Sequence, residues 1–272
     1  MTVLLAVLLL LGLAGPERES TSVEATVLEL MKLSGIDEAS HLLLSGYLEE
    51  VDRRFGAGEY SAETAEDLRD RFRAMYGPAF RSDYIHAFEE NFDEHYAQEV
   101  LRWLRSPNVQ RVIALPNQVM QKGGMERLNA YLNSPEGRQS MSTRVSLMQR
   151  IADRTHCAER RLEGEVNQSL AFVSIRNRFL PPEERWDKDD FEAYARQIRE
   201  DADLREGLKN GCVWPKLFIY REVSDQDLLD FIRFYDTPAG KWFEQTDLGA
   251  YTEAYVKAGV RWGYYEARGS VL

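Results

Sequence analysis

With 272 residues, 44% of them hydrophobic and 29% charged, the chain carries enough apolar material for one large or two ordinary domains, and its composition excludes a largely disordered protein. A formal net charge of −11 with no basic block argues against nonspecific binding to nucleic acid or to an anionic membrane surface, which need clustered Lys and Arg. Pairs such as Arg53-Arg54 and Arg160-Arg161 stand among acidic residues and read as solvated helix faces.

Residues 1–15 contain no Asp, Glu, Lys or Arg, and the apolar run Val3 to Leu13, followed by Ala14 and Gly15, has the outline of a secretory signal peptide. An ordinary apolar helix is the other reading, because no Lys or Arg precedes the run. It is too short to cross a bilayer, which takes about 17–25 residues. Ser22 is placed to cap a helix bearing Val27, Leu28 and Met31, with Gly35 as its stop. Asp37 then caps a helix with Leu43, Leu44, Tyr47, Leu48, Val51 and Phe55 inward, closed by Gly56-Ala57-Gly58. Ser61 opens the next, with Leu68, Phe72 and Met75 at helical spacing up to Gly77-Pro78.

Phe80, Tyr84, Phe88 and Phe92 recur every four residues, an aromatic stripe that reads as core. His86, Glu90 and Glu94 share the same four-residue step and would offer a metal one imidazole and two carboxylates. Solvated charge opposite the aromatic stripe explains them as well, so no metal and no cofactor is assigned. From Glu136 to about Arg178 there is no Pro, which predicts one long helix or two nearly continuous ones, ended by Leu180-Pro181-Pro182. Asp187 to Asn210 reads as a helix with Phe191, Tyr194, Ile198 and Leu204 inward, stopped by Gly211. Tyr251 to Ala267 reads as an aromatic-rich final helix, with Trp262, Tyr264 and Tyr265 as a candidate exposed patch. Sustained period-two alternation is missing throughout. The expected fold is therefore all-α: helical hairpins packed into one compact body with internal duplication.

The duplication is suggested by a corner written three times: VLRWLRSP (Val100 to Pro107), LNAYLNSP (Leu128 to Pro135) and FIRFYDTP (Phe231 to Pro238). In each, an aromatic residue (Trp103, Tyr131, Phe234) stands three places before a hydroxyl residue (Ser106, Ser134, Thr237), and Pro107, Pro135 or Pro238 follows it. The hydroxyl can cap a new helix, and Pro suits its first position, where the missing N–H leaves no bond unmade. The third copy begins with Ser224 and Asp227 at capping-box spacing and continues into Gly240. This divides the chain into a signal peptide (1–15), a first helical repeat region (16–145) and a second (146–272).

The segments FIRFYDTPAGKWF and AYLNSPEGRQSM resemble the signature of a bacterial family of exported helical proteins, domain of unknown function 2059. Phe234-Tyr235, Thr237-Pro238, Gly240 and Lys241 carry the best match, and Tyr131, Ser134-Pro135, Gly137 and Arg138 a near one. The copy at Ser106-Pro107 departs from it, with Val109 in place of Gly. The resemblance implies an exported helical protein with two tandem copies, and it brings no activity and no functional residue.

An exported chain meets an oxidising compartment, so its two cysteines, Cys157 and Cys212, are expected to form a disulfide; two buried thiols are the alternative. No nucleophile elbow is present, His156-Cys157 are mere sequence neighbours, and no catalytic residue is assigned. The glycosylation sequon at Asn167 falls within a predicted helix. The expectation is a noncatalytic binding protein of the bacterial cell envelope, periplasmic or secreted, whose partner is another envelope protein, a lipid or a peptide. The alternative is a helical hydrolase or lyase with a site assembled around His86 or His156.

Overall fold

The computed structural model describes residues 22–119, 123–178 and 180–261, and every regular element among them is helical. The chain order is α1 (Ser22–Ser34), α2 (Ile36–Gly56), α3 (Ala62–Tyr76), α4 (Pro78–Glu90), α5 (Glu94–Leu104), α6 (Pro107–Val119) and α7 (Gly124–Asn133). It continues with α8 (Pro135–Arg154), α9 (Cys157–Arg178), a 3-10 turn (Pro182–Glu184), α10 (Lys188–Glu200), α11 (Ala202–Ile219), α12 (Asp225–Phe234) and α13 (Pro238–Arg261). The all-α expectation holds. No helix among the described residues is long and apolar enough to cross a membrane. The apolar leader, the Leu43 side chain and the aromatic patch at Trp262, Tyr264 and Tyr265 lie outside the described residues.

Helix starts follow local chemistry. The side chains of Ser61, Asp93, Asp201 and Ser224 accept the N–H of Thr64, Tyr96, Leu204 and Asp227, and Asp187 forms a reciprocal capping box with Asp190. Between α1 and α2 the turn is made by Gly35 at φ 78°, so Asp37 is a first-turn acid of α2 and not its cap.

Three boundaries differ from the sequence reading. Gly211 does not stop a helix: α11 runs through it and through Pro215, because Asp201 starts a new helix and Gly211 keeps a negative φ. The final helix begins at Pro238, well before Tyr251. The single face that His86, Glu90 and Glu94 could have shared is not formed, since α4 ends at Glu90 and Asp93 caps a separate helix.

Helix α13 is the central element, packed against α3, α4, α5 and α9. Its buried positions include Ala239, Gly240, Ala250, Ala254, Ala258 and Gly259, small residues that let neighbouring helices approach, with Phe243, Tyr251 and Tyr255 filling the gaps. Phe80 meets Tyr251 and Tyr255 edge-on, at ring centroid distances of 5.7 and 5.1 Å. A smaller apolar cluster, Val166, Leu170, Phe191 and Ala195, seats α10 on α9. The sequence-derived division at 145/146 falls inside α8, which is continuous across it.

The three corners share one backbone pattern. Ser106, Ser134 and Thr237 donate their N–H to the carbonyls of Trp103, Tyr131 and Phe234 at 3.0, 2.9 and 3.0 Å. In the latter two the hydroxyl also donates to that carbonyl and accepts the N–H of Gly137 or Gly240. A Cβ on Gly137 or Gly240 would lie 2.0 Å from the Tyr131 or Phe234 carbonyl oxygen, which explains the Gly in both. Two of the corners meet: the Trp103 ring stacks on Phe234, with centroids 4.1 Å apart.

Candidate functional site

The polar chemistry gathers where α9, α11 and α13 converge. On α9, Cys157, Arg160, Arg161, Gly164 and Glu165 fall at steps of three and four, so a single stripe of the helix carries them all. On α11, Cys212 and Lys216 are likewise one turn apart. A Cys157–Cys212 disulfide, with Cα atoms 6.1 Å apart, ties the two stripes together. These stripes, with Tyr47 of α2, Tyr76 of α3, Tyr235 after α12, and Glu244, Asp247, Tyr251 and Tyr255 of α13, line a cavity of about 460 Å³. That volume lies within the range of small-molecule sites, about 300–1,000 Å³.

The buried groups form the floor. Asp247, only 6% exposed, accepts the Tyr84 hydroxyl at 2.6 Å and pairs with Arg160, whose guanidinium lies over the Tyr251 ring at 4.9 Å. Burial opposes the Arg160 charge, but Asp247 outweighs it and raises its pKa. Tyr76, Tyr235, Tyr251 and Tyr255 have pKa values pushed up, chiefly by burial, so they stay neutral and present rings and hydroxyls. The hydroxyls of Tyr251 and Tyr255 hydrogen-bond to each other at 3.0 Å.

Toward the rim the charges are less balanced. Arg154 pairs with Asp236 at 2.5 Å, and His156 with Glu244 at 3.0 Å. Arg161, Lys216 and Glu165 make no hydrogen bond or ion pair with a described residue. Arg161 is exposed, while Lys216 and Glu165 are half-buried. Burial, with the Arg161 charge adding to it, pushes the Lys216 pKa down to about 8.

Of the sequence candidates, His156 reaches this cavity and His86 does not: His86 is exposed beside Glu90. His156 alone among described non-glycine residues has a positive φ, 45°, in the sharp turn that separates α8 from α9. Cys157 lines the cavity but is locked in the disulfide. The lining hydroxyls of Ser34 and Thr155 donate to the carbonyls of Met31 and Ile151, and are thereby committed to helix backbone. Among the described residues no group of three or more His, Cys, Asp and Glu is arranged to hold a metal ion. Asn167 is 2% exposed, so its sequon is closed to modification in the folded chain. The corner residues Trp103, Ser106, Pro107, Tyr131, Ser134, Pro135, Phe234, Thr237, Pro238 and Gly240 stay outside the cavity.

Sequence reasoning missed Arg161, Lys216 and Glu165, which it read as solvated charge or not at all. The one available signal was Arg160, Arg161, Gly164 and Glu165 falling on the same helix face as a cysteine. Comparison with family models, with curated proteins and with solved structures returned no match.

Proposed function

We propose that the chain is a noncatalytic binding protein of the bacterial cell envelope, and that its ligand is a small molecule held in the cavity between α9, α11 and α13. The observation that carries this reading is the cavity itself: an aromatic interior with a few convergent charged groups, three of them without partners. Its one thiol-derived residue is oxidised and its two small hydroxyls are bound to backbone, so none of these three serves as a nucleophile. Export agrees with the disulfide, because such bridges persist in oxidising compartments, and with the apolar leader. Membership of the family with domain of unknown function 2059, in tandem copies, is part of the same proposal and rests on the corner residues.

Native mass spectrometry of protein purified from the periplasm under non-denaturing conditions tests the reading. A stoichiometric small-molecule adduct, released when the protein is denatured, supports it. Bare protein at every preparation, together with envelope crosslinks to a partner protein, would move the binding role to the outer surface.

One observation favours the hydrolase alternative: His156 is held by Glu244 at the cavity, as a general base is held by a carboxylate. That reading requires a water that gives its proton to His156 as it attacks the carbonyl carbon, and it predicts hydrolysis of ester or amide probes that disappears in His156→Gln.

A further inference from the structure

The charges around the cavity are not all paired. Arg154, Arg160 and His156 each face a carboxylate, namely Asp236, Asp247 and Glu244. The cations Arg161 and Lys216 are then left without an ion pair, as is the carboxylate of Glu165 on the same wall. The half-buried Lys216 ammonium, partly withdrawn from water without a partner, costs stability, and the cost is relieved by an anion placed beside it.

Geometry brings the two open cations to one side. Arg161 lies one turn past Cys157, and Lys216 one turn past Cys212, so the disulfide fixes the helices that bear them. The Arg161 guanidinium reaches across to α11, resting where Gly211 has no side chain; a Cβ there would be 2.7 Å from Nη1. This gives Gly211, mid-helix, a role that chain termination did not supply. A planar guanidinium beside an ammonium suits a carboxylate, which Arg engages through two parallel N–H donors and Lys as a point charge. Gly164 opens the wall toward the tyrosines: a Cβ there would stand 3.7 Å from the Tyr76 hydroxyl and 3.8 Å from that of Tyr255. The rings of Tyr47, Tyr76, Tyr251 and Tyr255 beyond it are a surface for an apolar body.

We infer that the ligand is a small organic carboxylate, with its head between Arg161 and Lys216 and its apolar body against the tyrosine rings. The inference rests on the cavity-binding reading above. A carboxylate places one negative charge between the two unpaired cations, whereas a phosphate dianion adds a second beside the Glu165 carboxylate on the same wall.

Isothermal titration of the full chain at pH 7.5 with 2-naphthoate, 2-naphthyl phosphate and 2-naphthol tests it, since the three share a body and differ in head charge. The expected result is that 2-naphthoate binds at least about tenfold more tightly than 2-naphthol, the scale of a charged hydrogen bond. Arg161→Gln and Lys216→Gln should each remove about that factor for 2-naphthoate and leave 2-naphthol unchanged. Glu165→Gln should improve the phosphate relative to the carboxylate. Equal affinity for 2-naphthoate and 2-naphthol, insensitivity to both cation substitutions, or a clear preference for the phosphate would overturn the carboxylate assignment while leaving the cavity reading in place. Absence of binding by all three would overturn both. Arg161 is exposed and Lys216 is without a partner, so neither substitution removes a contact on which folding depends.

Discussion

The corner at Trp103 and Phe234 and the cavity at Arg161 and Lys216 both combine aromatic rings with polar groups, yet they satisfy those groups in opposite ways. At the corners, partners lie close in sequence: Thr237 Oγ1 donates to the Phe234 carbonyl three residues back, and Gly240 N donates to Thr237 Oγ1, also three residues back. In the cavity the partners are remote, Asp247 answering to Tyr84 across 163 positions and to Arg160 across 87, and three charges have no partner. A group whose bonds are closed by its neighbours has no chemistry left to offer. The corners therefore set shape, and the proposed binding is assigned to the cavity, where charges stay unpaired.

The largest way to break this contrast is Asp247→Ala. It strands the Arg160 charge in a buried floor, and removing one partner of such a pair costs about 3–5 kcal/mol. Urea unfolding followed by circular dichroism measures it. A loss under about 1 kcal/mol would mean that Arg160 is already well solvated and that the floor is not closed. Replacing Cys157 and Cys212 together by Ser comes next, at about 2–4 kcal/mol for a bridge spanning 55 residues. Because the bridge also holds α9 to α11, that variant should lose 2-naphthoate affinity in its folded fraction.

Gly137→Ala and Gly240→Ala strike the other region. Each forces a methyl to within 2.0 Å of a backbone oxygen, and relaxation of the corner should cost about 2–3 kcal/mol. Their folded fractions should bind 2-naphthoate as the parent does. Thermal melts with and without the probe separate the two effects: equal ligand-induced shifts in parent and variant keep shape and binding apart, and a lost shift joins them.

The difference in legibility between the regions has the same origin. Ser134, Thr237 and their Pro neighbours could be read as corners because cap, carbonyl and first-turn Pro are contiguous, and the helix starts at Ser61, Asp187 and Ser224 were readable for that reason. Gly211 misled, because a glycine kept for an arginine from another helix looks in sequence like one kept for a turn. His86, Glu90 and Glu94 misled because periodicity does not register the break that Asp93 introduces. The cavity was hidden more deeply. Arg161 and Lys216 are ordinary helix-surface residues until the disulfide sets their helices side by side and half-buries Lys216, and no local pattern records which charges tertiary packing will leave unpaired.

The smallest effect has the opposite sign and tests the unpaired state of Lys216 directly. Its folded pKa, about 8, lies below the value near 10.4 expected of an unfolded lysine. Below pH 8 both states carry the proton, and the folded state bears the whole cost of an enclosed ammonium. Between pH 8 and about 10.4 the folded state releases the proton while the unfolded state keeps it, so the unfolded state binds more protons and stability rises with pH. Lys216→Met removes the ammonium altogether. Allowing for the solvent that reaches a half-buried group, the variant should be more stable than the parent by about 1–2 kcal/mol at pH 7, and the gap should narrow as pH passes 8. The buried tyrosines, whose pKa values are raised, work in the other direction: they lower stability only above about pH 10, where unfolded tyrosine ionises, and they cancel between parent and variant. Denaturant titrations of both proteins at pH 7, 8, 9 and 10 give the gap directly. A variant less stable than the parent at pH 7 would show that the Lys216 ammonium has a stabilising partner, and a cation already partnered could not be the one that awaits a carboxylate.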